Sequence, residues 1–281
     1  MDGMIEEERR KNLKEVLKLL HEGAPPEEVK ERFGHILQGV SPLELARAEE
    51  ELVREGIPRE EIQRLCDMHL AILKEQLEKQ GLAEQASPIK ILMEEHKMIK
   101  QIAQRLITLT ERVKKADSPE AATEELTELK QILEDLLDAE KHYLREENAL
   151  FPILERHGIS EPPAIMRIEH NQHREKKKQL KTLLIEDAAK IDFQDFKRQL
   201  DELAIAICSD LNSHIYKEDN ILFPAAQQVV TMQEWIRMRE DFDEIGYCCF
   251  TPEHLIEKQA KGLEQHKMEE AHPGGGIEFE S

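Results

Sequence analysis

The chain has 281 residues, 35% of them charged and 4% aromatic, with a formal net charge of −20. That charge excludes general nucleic-acid binding, which needs a basic surface to displace counterions; the basic run Arg174–Lys178 reads as a solvated helix face. No apolar run approaches the ~20 residues that span a bilayer, no signal-peptide core is visible at the N-terminus, and Cys66, Cys208, Cys248 and Cys249 form no CxxC pair, so the expectation is a cytoplasmic protein with no membrane partner.

Leu, Glu, Lys and Ala dominate, no segment alternates like a strand, and the expected fold class is all-α. Residues 1–82 read as a small domain of four short helices. The first spans about Ile5–His21 and stops at Gly23; the second starts at Pro25–Pro26 and ends near Gln38–Gly39. The third opens with the capping box Ser41-Pro42-Leu43-Glu44 and stops at Gly56, and the fourth runs from Pro58 to about Gly81. Within it Cys66 and His69 share a helix face. Two ligands alone make a poor metal site, and a packed core cysteine is the favoured reading.

Residues 88–230 read as four longer helices. They run from Ser87-Pro88 to about Lys115, from Pro119 to about Arg156, from Pro162-Pro163 to about Asp187, and from about Phe193 to Val230. Short connections make sequential helices antiparallel, giving an up-down-up-down four-helix bundle. Residues 231–281 supply a short helix (Met232–Asp243), a helix capped by Thr251-Pro252 and running to about Ala271, and a Gly-rich tail that reads as a linker to a further domain.

An internal repeat carries the chemistry. His142-Tyr143-Leu144-Arg145-Glu146-Glu147-Asn148-Ala149-Leu150-Phe151-Pro152 recurs 72 residues on as His214-Ile215-Tyr216-Lys217-Glu218-Asp219-Asn220-Ile221-Leu222-Phe223-Pro224, and Glu95-His96 recurs 74 residues on as Glu169-His170. Histidine and glutamate four apart lie on one helix face. In antiparallel neighbours the start of one helix meets the end of the next, so six residues converge: His96, His142, Glu146, His170, His214 and Glu218. Leu92, His96, Ile99, Ala103, Leu106, Thr110 and Val113 follow 4-3 spacing in the first helix, and Phe196, Leu200, Leu203, Ile207, Asp210, His214, Glu218 and Ile221 do so in the fourth. The six therefore face the core, where such groups are costly unless paired or bound to metal.

Two glutamates shared among four histidines point to two carboxylate-bridged ions; imidazole and carboxylate alone do not choose among zinc, iron, manganese and nickel. Asp138 and Asp210, each four residues before a ligand histidine, are candidates to accept the outer imidazole N–H, with a surface role as the alternative for Asp138. Tyr143 and Tyr216 either donate hydrogen bonds to a bound species or pack. His173 occupies the seam position matched by Ile99, as a seventh ligand or a supporting group.

At these residues the sequence resembles the hemerythrin-like (HHE cation-binding) family: its His, His-x-x-x-Glu, His, His-x-x-x-Glu pattern matches His96, His142 with Glu146, His170, and His214 with Glu218, and Leu-Phe-Pro trails both halves. The resemblance implies two non-haem iron ions, with manganese or zinc as alternatives. It also implies a protein that binds or senses oxygen, nitric oxide or redox state, with a diatomic gas or peroxide as ligand. Residues 1–82, with Glu55-Gly56-Ile57-Pro58 and Leu65-Cys66-Asp67-Met68-His69, are similar to domain-of-unknown-function family 438, which commonly precedes such domains; a PAS sensor domain often follows a tail like Gly274–Gly276. A downstream sensor domain and a homodimer are candidate partners. The competing readings are an oxidoreductase or repair factor, reducing nitric oxide or peroxide or delivering iron to damaged clusters with Cys248-Cys249 as a redox partner, and a storage or structural metal site.

Overall fold

A computed structural model describes residues 2–25, 28–29, 31, 33, 40–63, 88–188 and 190–256. The Cys66–His69 string, most of the fourth N-terminal helix, Ser87 and the chain beyond 256 lie outside them. The described residues contain helices, turns and no strand, as expected from composition, and no described helix is long and apolar enough to cross a membrane.

Two N-terminal helices, α1 (Asp2–His21) and α2 (Pro42–Arg54), pack on each other. The anticipated capping box is formed: Ser41 Oγ accepts from the Glu44 N–H while the Glu44 carboxylate accepts from the Ser41 N–H. The helical bundle consists of α3 (Ile89–Lys115), α4 (Thr123–Asp138) continued by α5 (Glu140–Arg145) and α6 (Phe151–Arg156), α7 (Glu161–Lys181), and α8 (Phe193–Lys217) continued by α9 (Phe223–Val229). Helix α10 (Met232–Ile245) follows, capped by Thr231 and Glu234. Within the bundle α3 packs on α4 and α8, and α7 packs on α4 and α8. Contacts run in opposite senses along each neighbouring pair, His96–His142 with Arg105–Glu128, His96–Glu218 with Lys114–Asp201 (2.9 Å), and Arg167–Glu155 with Arg174–Glu140 (2.7 Å), so these neighbours are antiparallel.

The second and fourth long helices, expected to be continuous, each contain a π turn, Glu146–Leu150 and Glu218–Leu222. The cause is the Phe-Pro at the end of each repeat. Pro152 and Pro224 have no N–H for the carbonyl four residues back and would clash with it, so the chain widens by one residue. The Phe151 N–H bonds Glu146 O and the Phe223 N–H bonds Glu218 O, five residues back.

Two hydrophobic clusters hold the molecule together. One fills the bundle away from the repeated motifs, with Leu106, Leu109, Leu136, Leu180, Phe196, Leu200 and Ile207. The other joins Leu13, Leu17, Leu45 and Leu52 of the N-terminal helices to Phe151, Phe223 and Met166 at the bundle end and to Trp235, Met238 and Phe242 of α10. Polar contacts reinforce that junction. Glu50 accepts the Ser160 and Glu161 N–H groups at the start of α7, satisfying donors that a helix N-terminus leaves open, and Arg59 pairs with Glu161 (Nη2 to Oε1, 2.8 Å).

Candidate metal centre

The six residues of the repeat meet between the two clusters, all buried. His96 Nε2 lies 3.2 Å from His142 Nε2, and His170 Nε2 lies 3.1 Å from His214 Nε2. Between these pairs stand the two glutamates. Glu218 reaches His96 Nε2 with Oε2 (3.1 Å) and His214 Nε2 with Oε1 (2.9 Å), while Glu146 Oε2 is 3.4 Å from both His142 and His170. The donor atoms form two groups within 4.8 Å, His96, His142, Glu146 and Glu218, and Glu146, His170, His214 and Glu218, with both glutamates common to the two.

The outer nitrogens are all engaged. Nδ1 of His96 faces Asp219 (2.7 Å), that of His142 faces Glu95 (2.7 Å), that of His170 faces Glu147 (2.8 Å) and that of His214 faces Glu169 (2.8 Å). A carboxylate only accepts, so each Nδ1 carries the proton and each neutral ring turns an Nε2 lone pair inward. Four inward lone pairs and two carboxylates without hydrogen-bond partners among the described residues repel one another unless a cation stands between them, which makes the set chemically suited to a metal pair.

Protons answer the same demand when metal is absent. Burial opposes charging of His96 and His170, but Asp219 and Glu218 beside the first and Glu146 and Glu147 beside the second outweigh it and lift both from 6.5 to about 10. A raised folded-state pKa contributes stability that is complete below about 6.5 and lost as pH climbs toward 10. Metal must displace these protons, so its affinity rises over the same window. Chelator competition at pH 6, 7 and 8 is expected to show progressively tighter metal binding, and unfolding of the stripped protein is expected to become easier from pH 7 to 10. A pH-independent affinity would contradict this donor set.

The structure corrects two candidates. Asp138 does not meet His142: its carboxylate accepts the Cys249 N–H (2.5 Å) and pairs with Lys141 (2.6 Å). Asp210 does not meet His214: it pairs with Lys176, because the seam of α8 runs Phe196, Leu200, Ala204, Ile207, Leu211, His214, which puts Asp210 beside the seam instead of on it. The positions expected for them belong to Glu95 and Glu169, each directly preceding a histidine of the neighbouring helix. Glu147 and Asp219, following each inner glutamate, take the other two. The π turns begin at Glu146 and Glu218, where successive carboxylates point to inner and outer nitrogens. The signal was in the sequence, as the repeated Glu-His and Glu-acid dipeptides.

Cations hold these outer carboxylates. Burial raises the Glu95 pKa, but His142 and Arg145 overcome it and hold the group down to about 2. His214 and Lys217 likewise lower Glu169. Arg145 Nη2 bonds both Glu95 oxygens (2.6 and 2.5 Å), and Lys217 Nζ bonds Glu169 (2.6 Å).

Tyr143 stacks on His170 (4.1 Å between centroids) and shares a 3.0 Å hydrogen bond with Nδ1 of His173, which packs edge-on against His214 at 4.8 Å. Tyr216 packs against the larger hydrophobic cluster. Within the basic run read as solvated, Lys177 is buried, 3% exposed, over the Tyr143 ring.

Residues 87–226 match the family described as hemerythrin HHE cation binding domain, and residues 13–79 match a family of unknown function, DUF438, in the order anticipated. No curated protein matches the chain.

Proposed function

Residues 87–226 of this chain belong to the hemerythrin HHE cation binding family, behind a DUF438 module, and from that premise we propose that the centre holds two iron ions and that the protein senses a small ligand or a redox change there. His96 and His142 would hold one ion and His170 and His214 the other, with Glu146 and Glu218 shared. The ions would supply an exchangeable coordination position and a redox couple.

One observation favours a sensing role. His142 is linked through Glu95 to a segment outside the bundle: Thr251 Oγ1 donates to Glu95 Oε1, and Arg145, bonded to the same carboxylate, lies under Tyr247 (4.9 Å) and Phe242 (5.3 Å) with Cys248 Sγ at 3.7 Å. A change in charge or position at His142 therefore bears on residues 247–251, which lead out of the described helices. Signalling devices of this kind need two arrangements of one element, each favoured by a different ligand state.

The turnover alternative uses the same ions and separates by experiment. Cys248 gives it little support as a thiolate partner, since burial and Glu95 push its thiol up to about 12. Elemental analysis of protein purified without chelators is expected to give two irons per chain. Addition of nitric oxide is expected to shift the iron spectrum reversibly and to alter hydrogen exchange in residues 247–256. In Thr251→Val the spectral shift is expected to remain while the exchange change is lost. Sustained consumption of nitric oxide or peroxide with a reductant would replace the sensing reading by an enzymatic one.

A further inference from the structure

The internal repeat builds the same outer groove on each half of the bundle. At the repeat offsets Glu95, Asp138 and Arg145 correspond to Glu169, Asp210 and Lys217. Their pairings correspond as well: Glu95 joins His142 to Arg145, and Glu169 joins His214 (2.8 Å) to Lys217 (2.6 Å). A further helix lies against each half, α10 on α5 and the π turn beginning at Glu146, α2 on α7 and the π turn beginning at Glu218.

The two grooves differ in what fills them. In the first, the chain itself does: the Thr251 N–H bonds the Cys248 carbonyl (3.0 Å), closing a four-residue turn. From that turn the Cys249 N–H reaches Asp138 (2.5 Å) and the Thr251 hydroxyl donates to Glu95, and both Glu95 and Arg145 are 0% exposed. In the second, no described residue takes those places. Glu169, Asp210 and Lys217 line a cavity of about 340 Å³. Its walls are polar: Ser209 and Ser213 stand where the first half has Leu137 and Lys141, and Gln63 of the N-terminal module borders it.

The carboxylates of the second groove keep room for the donors that their counterparts have. Glu95 Oε1 accepts from Arg145 and from Thr251, whereas Glu169 Oε1 accepts from Lys217. Asp138 pairs with Lys141 and also accepts a backbone N–H, whereas Asp210 pairs with Lys176. A carboxylate offers about four lone-pair sites, so each can take one donor more. The charges lining the cavity, Glu60, Glu169 and Asp210 against Lys176 and Lys217, favour an occupant that brings donors and no carboxylate.

We propose that this cavity is a docking site for a peptide turn of a partner protein, one that presents a backbone N–H to Asp210 and, two residues later, a Ser or Thr hydroxyl to Glu169. The turn at Cys248–Thr251 shows the recognition on the matching half, with the same spacing between its Cys249 N–H and its Thr251 hydroxyl. Glu169 holds Nδ1 of His214, so a docked turn bears on His214 as Thr251 bears on His142. The site depends on the fold of the chain and not on which ions the centre holds.

The probe is the chain's own turn, a cyclised peptide of residues 246–252 carrying Cys248→Ser and Cys249→Ser, titrated into the full chain by isothermal calorimetry. It is expected to bind with a dissociation constant of about 1 mM or below. Thr251→Val in the peptide, which removes the hydroxyl, is expected to weaken binding about tenfold, the loss of a hydrogen bond to a charged acceptor. On the protein, Asp210→Ala is expected to weaken it about as much, Ser213→Phe to abolish it by filling the cavity, and Asp138→Ala to leave it unchanged, with circular dichroism showing the helix content of the parent in each. A parent chain that does not bind the peptide, or that binds the Thr251→Val peptide equally well, would overturn the docking site. So would binding lost in Asp138→Ala and kept in Asp210→Ala, which would put the peptide in the first groove in exchange for the chain's own turn.

Discussion

Glu218→Ala is expected to lower bound iron from two per chain to none retained after desalting. Glu218 is the residue on which both halves of the centre converge: one oxygen lies 3.1 Å from His96 Nε2 and the other 2.9 Å from His214 Nε2. The side chain is fully buried, and its oxygens face only the inward imidazole nitrogens. Without it each ion keeps two neutral histidines and only a share of Glu146. A hundredfold loss of metal affinity removes about 2.7 kcal/mol of ligand-linked stability at a metal concentration far above the dissociation constant, so the melting advantage of loaded over stripped protein should largely vanish. Glu146→Ala is expected to behave alike, since Glu146 also belongs to both donor groups. Asp138→Ala, whose side chain bonds Lys141 and the Cys249 N–H and not His142, is expected to keep both irons. Elemental analysis of the three variants decides the matter; retention of two irons by Glu218→Ala would remove the carboxylate-bridged centre from consideration.

Glu95→Ala is expected to be the most destabilising single change at the site, by about 3–5 kcal/mol, because it strands a charge. Glu95 accepts from His142, from both contacts of Arg145 Nη2 and from Thr251. Arg145 is 0% exposed and its Nη1 has no partner among the described residues. Once Glu95 is gone the guanidinium keeps its charge, having no accessible pKa at which to lose it, and retains the aromatic faces of Phe242 and Tyr247. Denaturant unfolding of stripped protein measures the cost, and Glu95→Ala/Arg145→Met is expected to recover most of it. Glu169→Ala should cost less, since its partner Lys217 borders the cavity. A penalty under 1 kcal/mol for Glu95→Ala would mean that Arg145 finds water or another acceptor. Metal affinity in Glu95→Ala is expected to fall tenfold to a hundredfold, as when a histidine ligand loses its orienting carboxylate.

The sequence by itself determined the helical class and the six inward residues. Both rest on local periodicity: histidine and glutamate four apart must share a helix face, and a motif repeated at nearly equal offsets in two hairpins must meet its copy. Leu92, His96, Ile99, Ala103 and Leu106 are buried together as that periodicity required. Tertiary structure alone decided what lies around the six. Asp138 and Asp210 satisfied the spacing rule within their own helices, yet the imidazole Nδ1 atoms point across the interface to Glu95 and Glu169 of the neighbouring helices, and periodicity along one helix carries no information about its neighbour's register. Lys177 belongs to a run that reads as solvent-facing, and only the packing of α7 against α5 shows its ammonium lying over Tyr143. The hold of Thr251 on Glu95 joins residues 156 positions apart, a contact fixed by how α10 folds back on the bundle. Side-chain type and spacing along one helix identified the atoms that face the centre; the groups that orient, cover and open it come from other helices, and their placement follows from the packing of the whole chain.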